Sequence, residues 1–353
     1  MTGGDGPNSY THNSWYQRGV IEAAKEMINE GISANLDLIK SPCFNNKFHI
    51  ADLGCSIGPN TFIAIQNIID TVQKKYQDEN HNPLDLEFQV FFNDQVNNDF
   101  NTLFKALPPS RSYFAAGVPG SFHGVLFPNS SLHLVHSSYA LHWLSQLPKE
   151  LVDSKSPAWN KGSIFCSGLV KEVAEVYACQ YKKDMNRILN ARAQELVPGG
   201  LIIILESSLP DDVPMSHTAM GMPYDFLGSC LHDMVKMGLL SEEKVDSFNL
   251  PMYIPHVTEL KELIEENGCF SIERMIAFDH PVKSVSSPSL QAIASLIRAI
   301  VEGFIEKHLG DEIDIKEIFS YYAEKFAKNP PNYFGAECRQ NLELFLLLKR
   351  KMN

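Results

Sequence analysis

The segment Asp52-Leu53-Gly54-Cys55-Ser56-Ile57-Gly58-Pro59-Asn60-Thr61 decides the fold. Before it, Phe48-His49-Ile50-Ala51 reads as a short buried strand that ends in an acid, Asp52. After it, Phe62, Ile65, Ile69 and Val72 recur at helical spacing, which predicts a helix starting near Pro59, a residue suited to a first helical position. The order is therefore strand, glycine-containing turn, helix. Gly54 and Gly58 let backbone come close to a ligand, and the helix N-terminus aims its free amides at the crevice above the strand.

Three kinds of site share this shape, and the spelling separates them. A dinucleotide site wants G-x-G-x-x-G, but Ser56 holds the middle glycine position, and a P-loop needs a lysine that does not follow Gly58. Gly54-Cys55-Ser56-Ile57-Gly58 is a literal G-x-S-x-G, the nucleophile elbow of α/β-hydrolases. What remains is acid-x-G-x-x-x-G, the shape used for S-adenosylmethionine, where an acidic strand end suits a cationic sulfonium and amino group.

The 353 residues suffice for one large domain or a core with a sizeable insertion. A net charge of -12 and a pI near 5.5 argue against nucleic-acid and anionic-membrane partners. Met1 to Pro7 shows no basic-then-apolar signal, and no apolar run approaches ~18 residues, so a cytoplasmic protein is expected. Seven cysteines without C-x-x-C pairs read as reduced thiols.

Along the chain, an amphipathic helix begins at Trp15 with Val20, Ala24, Met27 and Ile28 on one face. Residues 73–85 are polar and read as a loop. Leu86 to Asp94 reads as a second strand, again ending in an acid, and Asp94 is placed to reach a ribose's hydroxyls. Further strands are expected at Tyr113–Val118, Ser131–His136 and Leu201–Leu205, with a long helix over about 169–196. Alternation of strands and helices predicts an α/β fold with a mostly parallel sheet. Strands at Phe270–Phe278 and Leu342–Leu348 are placed to close one side antiparallel, and the intervening helices to cap the crevice. The expected division is a Rossmann-like core with its N-terminal helix (1–208), a mainly helical cap (209–340) and a last core strand (341–353).

The motifs Asn8-Ser9-Tyr10, Asn13-Ser14, Gln17, Asp52-Leu53-Gly54-Cys55-Ser56, Gly58-Pro59-Asn60, Phe92-Asn93-Asp94, Pro119-Gly120-Ser121-Phe122 and Ser138-Tyr139-x-Leu141-x-Trp143-Leu144 together resemble the plant SABATH methyltransferases. Ala158-Trp159-Asn160-Lys161-Gly162 and Asp246-Ser247-Phe248-Asn249-Leu250-Pro251 extend the resemblance nearly end to end. It implies a class I methyltransferase core, a mostly parallel sheet with an antiparallel edge strand, and a helical cap. It also implies transfer of a methyl group from S-adenosylmethionine to a small carboxylic acid or, as the alternative, to a xanthine-like ring nitrogen. Within the family the chain looks most like the loganic-acid and farnesoic-acid carboxyl methyltransferases.

By resemblance, S-adenosylmethionine falls to Tyr10, Cys55, Asn60, Asp94, Gln95, Ser121, Phe122 and Ser138, with Gln95 standing where many relatives have leucine. Gln17 and Trp143 become amide and indole donors to the acceptor carboxylate, and Tyr139 and His142 line its pocket. Tyr224, His232, Met252 and Phe319 are expected cap contacts. Asn160, Asp246, the Phe248 carbonyl and Asn249 match a family position sometimes assigned to Mg²⁺, and oxygen ligands suit that hard cation. A homodimer is implied by the family alone. Two readings from other classes compete: a serine hydrolase using Ser56, although only one strand precedes it, and a non-catalytic small-acid binder.

Overall fold

A computed structural model describes residues 1–37, 44–79, 85–280, 289–328 and 342–352. Seven strands share one sheet: β1 (Lys47–Leu53), β2 (Glu87–Asp94), β3 (Tyr113–Pro119), β4 (Leu132–Ser138), β5 (Leu196–Ser208), β6 (Phe270–Phe278) and β7 (Leu342–Arg350). Their order is β3-β2-β1-β4-β5-β7-β6. The first five strands pair in parallel, and β7 enters antiparallel between β5 and β6. Strand order reverses between β1 and β4, and a doubly wound sheet opens its ligand crevice above that point.

The two faces of the sheet explain the apolar strands. Helices Trp15–Ala23, Lys25–Asn35 and Pro59–Asp78 cover one face, burying Val20, Ile28, Ile65, Ile69 and Val72 against Phe48, Ile50 and Ile203. Helix Lys171–Glu195 covers the other, burying Tyr177, Tyr181, Met185 and Ile188 against Val135, Ile202 and Ile204. With neither face wet, Leu201–Leu205 can be apolar throughout, as a central parallel strand requires. Helices Met222–Lys236, Leu290–Leu309 and Ile315–Lys328 form a third apolar cluster with Ile57 and Leu209, residues that follow the carboxyl ends of β1 and β5. Among the described residues, no helix is long and apolar enough to cross a membrane.

Four local expectations change. The helix from Trp15 is interrupted at Ala24 (ψ -7°) and resumes at Lys25. Helix Pro59–Asp78 continues into the stretch expected as a loop, because Val72 and Tyr76, four residues apart, both bury; most of the remainder, residues 80–84, lies outside the described residues. Gly54 needs to be glycine, with φ +77° and a Cβ that would stand 2.3 Å from the Ala140 Cβ, whereas Gly58 has an extended φ of -100° and room for a side chain. The basic tail is partly strand: β7 runs to Arg350, and Lys349 pairs with Asp37 at 2.7 Å. The expected boundary at 340/341 lies outside the described residues.

Candidate active site

The strand tips are stitched together by backbone. Gly54 and Cys55 both donate their N–H to the Asn93 carbonyl, at 2.9 and 3.0 Å. The Asn93 side-chain amide donates onward to the Val118 and Gly120 carbonyls, at 2.8 and 3.0 Å. Gly120 N–H returns to the Asp94 carbonyl at 2.9 Å. The ends of β1, β2 and β3 thus hold a fixed spacing before any ligand arrives. Asp94 accepts Ser56 N–H on one oxygen and Gln95 N–H on the other, each at 2.8 Å. Burial raises its carboxyl pKa, and the two amides oppose that shift. Each oxygen keeps acceptor capacity for a ligand hydroxyl.

Asp52, expected to face the sulfonium and amino group, is engaged within the protein. It is buried, with one oxygen 2.7 Å from His136 Nδ1 and the other accepting the Thr61 hydroxyl. His136 Nε2, Ser138 Oγ and Gln17 Oε1 are buried and make no hydrogen bond among the described residues. All three residues line one small cleft together with Tyr10, Asp52, Gly54, Cys55 and Asn60. Buried polar atoms are rarely left without partners, so three of them around one cleft mark a place shaped for a polar ligand. These residues fit S-adenosylmethionine.

The donor residues read from the sequence mostly converge. Tyr10, Cys55, Asn60 and Ser138 share the cleft, and Asp94 adjoins it through Ser56 N–H. Ser121 and Phe122 follow Gly120 in the turn after β3, beside Asp94, while the Gln95 side chain is exposed beyond it. Burial keeps the Tyr10 phenol and Cys55 thiol protonated by raising both pKa values. The Asn60 amide donates to the Ser14 carbonyl and hydroxyl, at 3.1 and 3.0 Å. Asn60 therefore anchors the start of the helix that carries Gln17.

Among the residues expected on the acceptor side, Trp143 stacks on Phe304 with ring centroids 5.0 Å apart, and its backbone bridges to Met252. Tyr224, Met252 and Phe319 are buried in the same cluster; His232 lies on helix Met222–Lys236, outside its buried set. Tyr139 adopts φ +54°, a backbone strain that a bulky residue tolerates only when its surroundings hold it. What holds it is Glu343 of β7, whose carboxylate accepts the Tyr139 hydroxyl, the Tyr16 hydroxyl at 2.5 Å and the Ser207 hydroxyl at 3.1 Å. Burial lifts the Glu343 pKa to about 7 against the pull of those donors. His142 Nδ1 lies 2.6 Å from Glu206, whose second oxygen accepts Leu141 N–H at 3.1 Å. An ionised carboxylate only accepts, so with Glu206 ionised Nδ1 carries the imidazole proton.

His136, Glu206 and Glu343 are site residues that the sequence reading missed. The available signal was an acid or imidazole set inside an apolar strand, as in Leu342-Glu343-Leu344 and Ile204-Leu205-Glu206.

The expected Mg²⁺ ligands form a different structure. Asn160 turns its amide N–H₂ to the Phe165 carbonyl and to Asn249 Oδ1, at 3.0 and 2.7 Å. Tyr177 also donates to Asn249 Oδ1, Asp246 pairs with Lys161 at 3.2 Å, and the Phe248 ring packs against His308. Asn249 Oδ1 already accepts two hydrogen bonds and the Lys161 ammonium stands at one Asp246 oxygen; Asp246 Oδ1 is left buried without a partner, but a lysine cation beside that carboxylate does not fit a second, hard cation there. Among the described residues, no group of three or more His, Cys, Asp or Glu side chains is arranged to hold a metal.

The hydrolase reading fails on geometry. Ser56 has the strained backbone of an elbow, φ +53°, but its Oγ meets Met1 Sδ at 3.8 Å and makes no hydrogen bond to a histidine among the described residues. The nearby His136 is held by Asp52 through Nδ1, as a triad histidine would be, but its Nε2 makes no hydrogen bond to Ser56 among the described residues.

Comparison with known proteins gives the family. The family model of S-adenosylmethionine-dependent carboxyl methyltransferases matches residues 1–351. Loganic acid O-methyltransferase of Catharanthus roseus is 47% identical over 356 residues, covering 100% of this chain and 94% of the relative. Farnesoic acid carboxyl-O-methyltransferase of Arabidopsis thaliana is 46% identical over 350 residues, covering 99% and 98%. A solved structure of loganic acid methyltransferase with S-adenosylhomocysteine superposes with a TM-score of 0.94 at 47% identity, covering 100% of this chain and 99% of that one. A wired donor cleft beneath an apolar helical cluster, on a chain matched along its whole length, therefore belongs to the SABATH family of S-adenosylmethionine-dependent carboxyl methyltransferases.

Proposed function

We propose that this carboxyl methyltransferase forms the methyl ester of a small, largely apolar carboxylic acid, a terpenoid, iridoid or aromatic acid of plant specialised metabolism, with Gln17 and Trp143 holding the carboxylate. S-adenosylmethionine supplies an electrophilic methyl group. The acceptor carboxylate is already ionised at pH 7, so no general base is needed. The protein's tasks are to align the oxygen with the methyl carbon and to strip water from it. Alignment alone contributes roughly 7–11 kcal/mol in favourable cases.

The observation that carries this reading is Gln17. Its side-chain oxygen is buried without a hydrogen-bond partner in the cleft shared with Cys55, Asn60 and Ser138, and a half-turn of the amide offers N–H in its place. That cleft has no lysine or arginine in its lining. A neutral donor suits the chemistry: a guanidinium would hold the carboxylate tightly, withdraw the charge it needs for attack and repel the sulfonium. Trp143, set among Phe304, Met252 and the other apolar residues of the cap cluster, supports a mostly hydrocarbon acceptor. His142, paired with Glu206, supports some polar decoration on it. A cytoplasmic homodimer remains part of the proposal.

A panel of small acids and xanthines incubated with methyl-labelled cofactor tests it. Methyl esters of apolar acids are expected, and labelling of a heterocycle nitrogen alone would replace the reading with N-methylation. Gln17→Ala is expected to abolish turnover while S-adenosylhomocysteine still binds.

A further inference from the structure

Between the donor turn and Trp143 stands a side chain that neither the motifs nor the relatives' names assign. His123 Nε2 lies 3.1 Å from the Trp143 carbonyl, and its Nδ1 lies 3.0 Å from the Ser121 hydroxyl. A carbonyl can only accept, so Nε2 carries the proton. In a neutral ring Nδ1 is then an acceptor, and the Ser121 hydroxyl donates to it. Its proton turned toward the His123 ring and one lone pair accepting the His123 backbone N–H at 3.4 Å, the Ser121 oxygen has one lone pair left for a ligand N–H.

The backbone around His123 is unusually well held. Arg192, fully buried, donates to the Phe122 carbonyl at 3.0 Å and to the Gly124 carbonyl at 2.9 Å, the two carbonyls that flank His123. Glu195 completes the clamp, pairing with Arg192 at 2.7 Å and accepting the Phe127 N–H at 3.0 Å. The imidazole therefore projects from a fixed base and does not follow a loose loop. Burial lowers its pKa below the ordinary histidine value against the pull of Asp184 and of the hydrogen bond to Trp143, with Arg187 and Arg192 on the side of burial, and the net shift favours the neutral ring in which Ser121 is the donor.

We propose that His123 is a positioning residue that couples the two halves of the site, orienting Ser121 toward the methyl donor and fixing the backbone of Trp143 for the acceptor. The inference rests on the donor role of Ser121 and the acceptor role of Trp143 given above.

Two variants separate its two bonds. His123→Gln keeps an N–H at the Nε2 position and loses the acceptor facing Ser121. His123→Asn keeps an oxygen at the Nδ1 position and loses the bond to Trp143. The measurements are S-adenosylhomocysteine affinity by calorimetry, kcat and KM for the best acid in the panel, and melting temperature. For His123→Gln the expected result is S-adenosylhomocysteine affinity weaker by about fivefold with kcat within twofold, the scale of one hydrogen bond. For His123→Asn it is the reverse: affinity within twofold and kcat/KM for the acid lower by about tenfold, because a part-buried carbonyl loses its donor. A purely structural histidine would lower the melting temperature and move both readouts together in both variants, and that pattern overturns the proposal, as does the absence of any effect. A wild-type chain that fails to bind S-adenosylhomocysteine overturns the donor reading itself and this proposal with it; wild-type binding with unaffected variants overturns the proposal alone.

Discussion

The proposed donor and acceptor halves of the site are built from different materials. The donor half is a backbone construction: Gly54, Cys55 and Ser56 amides, the Asn93 carbonyl and the Gly120 amide set its spacing, and parallel strand register sets theirs. The acceptor half is a side-chain construction. Trp143, Phe304, Met252, Tyr224 and Phe319 come from segments far apart in the chain, and they meet only because the cap helices pack on the strand ends. A backbone site resists substitution wherever the chain trace survives. A side-chain site changes with each replacement, which is how one scaffold keeps its donor and varies its acceptor.

The largest expected effect comes from the acceptor side. Trp143→Ala should lower kcat/KM by about 10²–10³, the scale seen when one preorganised donor is removed, with S-adenosylhomocysteine affinity changed by less than about threefold. Trp143→Phe sharpens the point, since it keeps an aromatic ring against Phe304 and removes only the indole N–H. Steady-state kinetics showing near-normal turnover for the phenylalanine variant would assign Trp143 to shape and not to hydrogen bonding.

Beneath the acceptor half, Glu343 makes stability depend on pH. Burial lifts its pKa from an ordinary 4.5 to about 7, so folding takes up a proton between those values. The contribution is intact below pH 4.5 and is lost as pH rises through 7, a swing of roughly 3 kcal/mol for a shift of this size. Glu343→Gln removes the swing. In denaturant titrations at pH 5 and pH 8, the variant should gain on the wild type by about 2 kcal/mol or more at the higher pH; parallel behaviour at both would show that Glu343 is ionised throughout.

In the donor half, the one side chain expected to matter strongly is Asp94. Asp94→Asn keeps the shape and removes the charge that ligand hydroxyls would bond to. S-adenosylhomocysteine affinity should fall by about 10- to 100-fold, as for one or two hydrogen bonds to a charged group. The acceptor KM should move less. Equal losses in both would erase the distinction between the halves.

How much of this was legible follows the same division. The core was readable because its rules are local: Asp52 and Asp94 end apolar runs, Pro59 opens a helix, and buried parallel strands such as Leu201–Leu205 are apolar throughout. Helix and strand boundaries were lost where polar residues faced outward from an otherwise buried element, as at Gln73-Lys74-Lys75 before Tyr76. Ser121, Ser138 and Trp143 could be named only through resemblance, since a turn serine and a tryptophan in an apolar run have ordinary structural uses. Glu206 and Glu343 carried only the signal of an acid inside an apolar strand, and His123 carried none. Each acts by contacting a residue at least 20 positions away, and nothing in local spelling records that contact. The Mg²⁺ expectation gains no support for a related reason: a list of oxygen-bearing residues does not say that Asn249 Oδ1 already accepts two hydrogen bonds or that Lys161 stands beside Asp246.

The smallest expected effect belongs to the residue at the centre of the deciding segment. Ser56 contributes its backbone amide to Asp94 and its carbonyl to the Asn98 amide, at 2.8 and 3.0 Å, and neither bond involves the hydroxyl. Ser56→Ala preserves both, so methyl transfer should stay within about threefold of wild type, because a hydroxyl whose protein contact is a weak sulfur acceptor contributes little. Ser56→Gly separates side chain from backbone: it relieves the φ of +53° and loosens the unfolded chain, two opposing effects of about 1 kcal/mol or less that should leave the melting temperature nearly unchanged. Activity that collapses in the alanine variant while S-adenosylhomocysteine still binds would mean that the hydroxyl touches a reacting group. Ser56 would then move from the framework of the donor half into the chemistry, and the contrast between a backbone site and a side-chain site would fail at a position where the backbone itself is strained.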